Sequence, residues 1–234
     1  MKCIASILLS ILMPGCYAQY VLNVIDLEQI PQEKVRVMVA SLQQEKITRL
    51  SELESTFTWG QDMKGYCWLE SAYRIKETPS TVWEIYNNTS PAESWNGRMV
   101  SFGLLISKYH NKVMYREDSY FSGIDTGQVF YVNLRIMKGL YNLAVGLEII
   151  DIDPVNRSIT FSYLKGGKSR GEQTIYFITS RKGFTEIIHQ TAFKSNSYLR
   201  DRYLYPYFHR IAINEFHRNM RNAINQGEKQ LADK

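Results

Sequence analysis

The sequence predicts an α+β fold in which a curved antiparallel sheet holds a long C-terminal helix. Residues 127–194 read as short alternating strands joined by tight turns, and such neighbours pair antiparallel because parallel strands need long crossovers. After Pro206, apolar residues recur at helical spacing over several turns. The chain has 234 residues, 44% of them hydrophobic, which is enough for one domain with a sizeable core.

The first segment, residues 1–18, is predicted to be an export signal. Lys2 precedes an apolar run at 4–13, which has the length of a signal-peptide core and is too short to span a membrane. A small-x-small pattern predicts cleavage before Gln19, whereas an alternative interpretation has Cys16 lipidated. We therefore expect an exported protein, periplasmic or extracellular, with a lipid anchor at Cys16 as the alternative.

The second segment, residues 19–60, is predicted to be an N-terminal helical extension. Its helix is expected over residues 31–57, with Pro31 in the first turn, where a missing N–H costs nothing. We expect this helix to pack against the main domain, with an interaction arm as the alternative. The residues at helical spacing are Val35, Val39, Leu42, Leu50, Leu53 and Phe57.

The main domain is predicted over residues 61–228. A first strand at 66–77 is followed by a helix that Thr78 caps and Pro79 begins, and by a loop or second short helix up to Gly97. Further strands are expected at 99–107, 112–117, 129–136, 145–152, 157–164, 171–179 and 184–193.

Strand 129–136 alternates cleanly between two faces. Phe130 and Val132 face one way, which is predicted to be core, and Tyr131 and Asn133 face the other way. We expect that second face to meet solvent or a cavity with polar groups.

The final helix carries an apolar stripe that must be buried against the sheet. Residues 181–234 hold 10 Lys and Arg against 5 Asp and Glu, so an anionic membrane surface is a candidate partner for the helix, and a solvated face is the alternative. No nucleic-acid partner is expected for an exported protein. The stripe contains Phe208, Ile211, Ala212, Phe216, Met220 and Ile224, and a polar tail follows at 229–234.

This order of elements resembles the helix-grip fold of the START and polyketide-cyclase superfamily, whose members hold a cavity between sheet and helix. Residues 145–224 are also similar to the family catalogued as domain of unknown function nineteen-ninety. That resemblance implies a fold and a ligand cavity, and no reaction. Gln173 replaces the family's second acid, and the loop at 164–170 has no histidine. The similar residues are 148–154, 159–163, 171–173, Ala192, Phe193 and Pro206.

The candidate ligand-binding residues are Tyr163, Glu172, Phe208 and Ile211. Tyr163 combines a packing ring with a hydroxyl, Glu172 follows a glycine at a strand start, and the other two belong to the apolar stripe. No catalytic residue is assigned. No cofactor and no metal site are expected, because the histidines lack the spacing of a shared metal ion.

The sequence therefore predicts an exported protein that binds a lipid-like or other apolar small molecule in a helix-grip cavity. One alternative is an enzyme that acts on an apolar substrate in the same cavity. It would need an inward carboxylate as acid or base. The other alternative is an interaction protein of the cell envelope. The carboxylates considered are Glu148, Glu172, Glu186 and Glu215.

Overall fold

The computed structural model of the chain describes residues 25–44, 47, 49–180 and 183–232. The predicted export signal, residues 1–18, lies outside the described residues. The described chain forms an eight-stranded antiparallel sheet against a long C-terminal helix, so the predicted α+β architecture is confirmed.

The strands occupy the positions that the alternating segments predicted. They are β1 Cys67–Ile75, β2 Val100–Ser107, β3 Lys112–Tyr115, β4 Gln128–Ile136, β5 Tyr141–Asp153, β6 Ser158–Tyr163, β7 Arg170–Thr179 and β8 Thr185–Lys194.

The sheet has the strand order β1-β8-β7-β6-β5-β4-β2-β3. Strands β4 to β8 form consecutive hairpins, β1 closes against β8, and the short strand β3 lies at the opposite edge beside β2. Register shifts interrupt two pairings, at Phe102/Leu104 and at Ile149/Asp151. Such bulges bend a strand and increase its twist, which curves the sheet toward the helix.

Four α-helices of the described chain accompany the sheet. Thr78 caps α2 by accepting a hydrogen bond from the backbone N–H of Thr81, and Pro79 follows in the first turn, as predicted. A π-helical turn at Arg200–Leu204 leads into the last helix, which begins one residue before the predicted Pro206. The helices are α1 Glu33–Gln44, α2 Pro79–Asn88, α3 Pro91–Ser94 and α4 Tyr205–Ala232.

Within the part of the chain that is described, none of the helices is both long and apolar enough to cross a bilayer.

The inner face of the sheet packs against α2, α3 and α4 and forms the larger core. The buried face of α4 differs from the predicted apolar stripe. It includes His209 and His217, and it excludes Ile211. The apolar residues that α4 buries are Ala212, Ile213, Phe216, Met220 and Ile224.

The outer face of β2, β4 and β5 carries a second core beneath the N-terminal extension. Tyr131 and Val129 of β4 are both fully buried there against α1, which contributes Val35 and Val39. The expectation that this face meets solvent or a cavity is therefore wrong, because a second apolar layer covers it.

Two glycines let the extension and a neighbouring loop approach the sheet closely. A Cβ on Gly103 of β2 would lie 2.9 Å from Cγ1 of Val35 and 3.0 Å from the carbonyl oxygen of Tyr131. A Cβ on Gly146 of β5 would lie 2.7 Å from Cδ1 of Leu164. At Gly103 the nearby backbone oxygen leaves little room for a side chain, whereas at Gly146 the end of the Leu164 side chain would have to shift.

The end of the extension pairs with the β6–β7 turn. The backbone N–H and the hydroxyl of Thr56 both donate to the carbonyl oxygen of Tyr163, at 2.7 and 2.9 Å. The N–H of Gly171 donates to the Thr56 hydroxyl at 3.1 Å. Gly171 has φ of +123°, and a Cβ there would lie 2.1 Å from the carbonyl oxygen of Ala192. The backbone conformation and the close contact at position 171 therefore require glycine.

Candidate functional site

A cavity of about 570 Å³ lies between the sheet and α4. Alternation on β4 and β5 points every second side chain at it, and α4 supplies the opposite wall. The walls are mostly apolar. The apolar lining includes Val132, Leu134 and Ile136 of β4, Leu143, Val145 and Leu147 of β5, and Phe208, Ala212 and Ile213 of α4.

The mouth of the cavity combines exposed apolar side chains with two cationic residues, Lys168 and Arg200. Met137, Tyr141 and Leu204 line the cavity and are each more than half exposed. Arg200 donates to the carbonyl oxygen of Lys168 at 2.5 Å and to the hydroxyl of Ser169 at 2.7 Å. These bonds hold the β6–β7 loop against the start of the last helix.

A chain of six hydrogen-bonded side chains runs through the core to the cavity, and we call it the buried hydrogen-bond chain. The Tyr86 hydroxyl lies 2.8 Å from Nδ1 of His217, and Nε2 of His217 lies 2.9 Å from Nδ1 of His189. Nε2 of His189 lies 3.0 Å from Oε1 of Gln173, and Nε2 of Gln173 donates to the Tyr163 hydroxyl at 2.8 Å. The chain ends where the Tyr163 and Tyr205 hydroxyls bond to each other.

Burial decides the protonation states in this chain. Removal from water lowers the pKa of His217 to about 3 and holds the pKa of His189 well below its usual value, because a charged imidazole is costly in the core. Burial also raises the pKa values of Tyr86, Tyr163 and Tyr205. All five groups are therefore neutral at physiological pH.

A third histidine lies beside the chain. Nε2 of His209 is 2.9 Å from the Thr191 hydroxyl, and burial lowers the pKa of His209 to about 3. The ring of Tyr205 is stacked between Phe193 and His209, with ring centroids 3.7 and 5.0 Å away. This stacking fixes the position of the Tyr205 hydroxyl at the end of the chain.

Two of the four residues predicted to bind a ligand line the cavity, and the other two do not. Tyr163 and Phe208 line the cavity, and their contact with a ligand stays a prediction. Glu172 lies on the outer face of β7, because strand alternation turns its neighbour Gln173 inward. Ile211 is 38% exposed on α4 and is absent from the lining, so Glu172 and Ile211 are not brought together with the other two.

The four carboxylates considered for acid–base chemistry are absent from the cavity lining. Glu148 pairs with Lys108 at 2.8 Å beneath the N-terminal extension, and Glu186 pairs with Arg74 at 3.5 Å. Burial raises the pKa of Glu172 on the outer face.

Glu215 is buried in α4, and its two oxygens accept hydrogen bonds from consecutive backbone N–H groups. These groups belong to Arg98, Met99 and Val100, at 2.7 to 2.8 Å. Arg218 also lies 3.3 Å from the Glu215 carboxylate. Glu215 therefore anchors the helix to the start of β2.

Several residues of this site were missed by sequence reasoning. Gln173 was singled out only as a departure from a family pattern, and it forms the centre of the buried hydrogen-bond chain. His209 and His217 are eight residues apart, a spacing that places them on one face of a helix and could have suggested joint burial. Tyr86 and His189 come from distant elements, and nothing in the sequence pairs them with α4.

The described residues include no group of three or more histidines, cysteines or carboxylates arranged to hold a metal ion. The three buried histidines are instead bonded to one another or to neutral partners.

A curved antiparallel sheet that holds a long C-terminal helix over a cavity is the helix-grip fold. A norcoclaurine synthase point mutant from Thalictrum flavum, solved with a transition-state analogue, has a TM-score of 0.51 and 10% identity. The match covers 72% of this chain and 99% of the synthase chain. At that identity the likeness concerns the fold alone.

Two other solved structures are similar to the chain. A protein from Thermus thermophilus has a TM-score of 0.49 and 12% identity, with 69% of this chain and 99% of that chain covered. Major latex-like protein 151 from Panax ginseng has a TM-score of 0.49 and 13% identity, with 67% and 96% covered. No family model and no curated protein matches the sequence.

Proposed function

We propose that this protein binds a lipid-like or other apolar small molecule in the cavity between the sheet and α4. The observation that carries the proposal is the cavity of about 570 Å³ with mostly apolar walls. Its volume lies within the range that small-molecule sites commonly have, roughly 300–1,000 Å³. Affinity comes from apolar burial at about 25 cal/mol per Å².

Two further features support the proposal. A solved structure with the same fold, the norcoclaurine synthase, is a complex with a transition-state analogue. The exposed apolar side chains at the cavity mouth give an apolar molecule a path inward. The proposed resemblance of residues 145–224 to the domain-of-unknown-function family nineteen-ninety implies the same fold and ligand cavity, and it implies no reaction.

A matched pair of variants on α4 tests the proposal. In Ala212→Phe the new ring enters the cavity, so binding of the uncharged dye 1-aminoanthracene, followed by fluorescence, is expected to weaken at least tenfold. Ile211→Phe places the same ring one residue earlier on an exposed position, and it is expected to bind the dye like the wild type.

Equal binding by the two variants, or no uptake of the dye and of oleate by the wild-type protein, would refute the proposal. If Ala212→Phe does not fold, Leu143→Phe fills the same cavity from β5. Circular dichroism melting shows which of the variants are folded.

Export is a second part of the proposal, supported by the sequence pattern of residues 1–18. Intact mass spectrometry of the protein from its source tests it. A mass that starts at Gln19 or a lipidated Cys16 supports export, and a mass that retains residues 1–18 contradicts processing.

The anionic membrane surface that was predicted as a partner of the last helix is not added to the proposal. Arg218 already contacts Glu215, and Arg221 donates to the carbonyl oxygen of Arg74 at 3.2 Å. These two arginines of the helix therefore serve contacts within the protein.

A further inference from the structure

The direction of every hydrogen bond from Tyr86 to Tyr163 in the buried hydrogen-bond chain follows from Gln173. Its Nε2 donates to Tyr163 and its Oε1 lies 3.0 Å from Nε2 of His189. An amide oxygen only accepts, so the proton of the neutral His189 ring is on Nε2 and its Nδ1 accepts.

The same reasoning extends to the far end of the chain. Because Nδ1 of His189 accepts, Nε2 of His217 carries the proton between the two rings, 2.9 Å apart. Nδ1 of His217 is then an acceptor, and the Tyr86 hydroxyl donates to it at 2.8 Å. Every link from Tyr86 to Gln173 therefore donates toward the cavity.

At the cavity end of the buried hydrogen-bond chain, one hydroxyl proton has no acceptor among the described residues. Tyr163 accepts from Gln173, and one of the two hydroxyl protons of Tyr163 and Tyr205 joins their oxygens, with either hydroxyl as the donor. None of the described residues accepts the second proton of this hydroxyl pair. Of the polar groups nearby, both amide atoms of Gln173 are bonded and Nε2 of His209 is bonded to Thr191, whereas the buried Oδ1 of Asp201 makes no hydrogen bond to Tyr205 or to any other described group.

We infer that the ligand carries a hydrogen-bond acceptor oxygen, such as a carbonyl or ether, that takes the free proton of the Tyr163–Tyr205 hydroxyl pair. This inference rests on the proposed function and narrows its ligand class. A buried donor without a partner is costly, so an apolar molecule with such an oxygen is preferred over a pure hydrocarbon of the same shape.

Two probes of equal shape test this preference. 2-Acetylnaphthalene carries a ketone oxygen, and 2-isopropylnaphthalene has the same outline without an acceptor. By displacement of 1-aminoanthracene, the ketone is expected to bind roughly fivefold tighter, which is the effect of one net neutral hydrogen bond. The infrared carbonyl stretch of the bound ketone is expected at lower wavenumber than in hexane.

Tyr205→Phe removes one hydroxyl of the pair, keeps the stacked ring and leaves the proton of Tyr163 as the free donor. The carbonyl stretch of the bound ketone should therefore move from its wild-type wavenumber, while the hydrocarbon binds within about twofold of the wild type. Tyr198→Phe is the matched control, because Tyr198 is 75% exposed and does not line the cavity. If Tyr205→Phe does not fold, the infrared shift in the wild type decides alone.

Equal binding of the ketone and the hydrocarbon by the wild type would overturn the inference and leave the proposed function intact. Failure of both probes to bind would instead contradict the proposed function. The ¹⁵N chemical shifts of His189 and His217 give an independent check, with both rings expected to be protonated at Nε2. Protonation of both at Nδ1 would reverse the chain and also overturn the inference.

Discussion

Three buried histidines make the folded state sensitive to acid. Burial lowers the pKa of His209 and of His217 to about 3, and the pKa of His189 also lies well below its usual value. In the unfolded chain a histidine has a pKa near 6.5. Below that pH the unfolded state binds protons that the folded state does not, so stability falls from pH 6.5 toward pH 3.

We expect the free energy of unfolding to fall between pH 7.5 and pH 5 by on the order of 2 kcal/mol per buried histidine. Urea denaturation at the two pH values measures this loss. His209→Gln should reduce it by about one histidine's share, whereas His110→Gln should leave it unchanged because His110 is exposed. An equal loss in all three proteins would contradict the assignment.

The contribution of Glu215 to stability can be measured with a single substitution. Glu215→Gln removes charge-assisted hydrogen bonds from backbone N–H groups at the start of β2 and turns an amide N–H₂ toward them. We expect a loss of about 2–3 kcal/mol in urea denaturation. Glu186→Gln is the matched control, with a loss below about 1 kcal/mol, since its pair with Arg74 is largely solvated. Equal losses would refute the anchoring role.

At the scale of single residues, the sequence predicted only part of the candidate site. Tyr163 was predicted because an aromatic hydroxyl at a strand end is chemically suggestive. His189 and Tyr86 could not be predicted as partners, because His189 of β8 and Tyr86 of α2 are joined through His217 of α4 and no local pattern links them. Glu172 was also predicted, from its position after a glycine at a strand start, and strand alternation turns Gln173 rather than Glu172 toward the cavity.

At the scale of elements, the N-terminal extension differs most from its prediction. The apolar spacing over residues 31–57 predicted one helix, whereas α1 ends at Gln44 and a 3₁₀ turn at Leu50–Glu52 follows. The apolar positions were nevertheless correct, since Val35, Val39 and Leu53 are buried. Their burial requires only that each reach the sheet, and a turn between them permits that as well as a longer helix would.

The close approach of α1 to β2 makes Gly103 sensitive to a single methyl group. Gly103→Ala is expected to destabilise the protein by about 1–3 kcal/mol, because the backbone of Tyr131 cannot move aside easily. Gly227→Ala is the matched control in α4, where no heavy atom beyond the neighbouring helix backbone lies within 4 Å of the new Cβ. It is expected to be neutral or to stabilise by up to about 1 kcal/mol. Thermal melting followed by circular dichroism distinguishes these outcomes.

The strands were predicted more closely than the helices around them. Period-two alternation and turn residues locate a hairpin from local sequence alone, which is why β4 to β8 fell near their expected bounds. The closure of β1 on β8 joins residues more than 100 positions apart, and no local pattern in the sequence indicates it.

At the scale of the whole molecule, stability is distributed unevenly over the sheet. Side chains of β2 and β4 are buried on both faces, by the larger core on one side and by the N-terminal extension on the other. In β1 inward residues alternate with exposed ones, and no strand pairs with its outer edge in the described chain.

Amide hydrogen exchange should report this difference. We expect the amides of β2 and β4 to exchange slowest, on the order of 100-fold more slowly than those of β1, because their opening approaches global unfolding. Uniform protection across the sheet would show that the second core adds no local stability. Gly103→Ala, measured in parallel, should narrow the difference by accelerating β2 and β4.

The second core also bears on how such a protein can diverge. Because the extension stabilises β2, β4 and β5 from behind, residues on the cavity side of those strands need not fill space to keep the sheet folded. Substitutions there can alter the shape of the cavity while stability stays above the threshold that folding requires. The N-terminal extension, which packs on the opposite face of β2, β4 and β5, thus leaves residues on the cavity side free to change over evolutionary time.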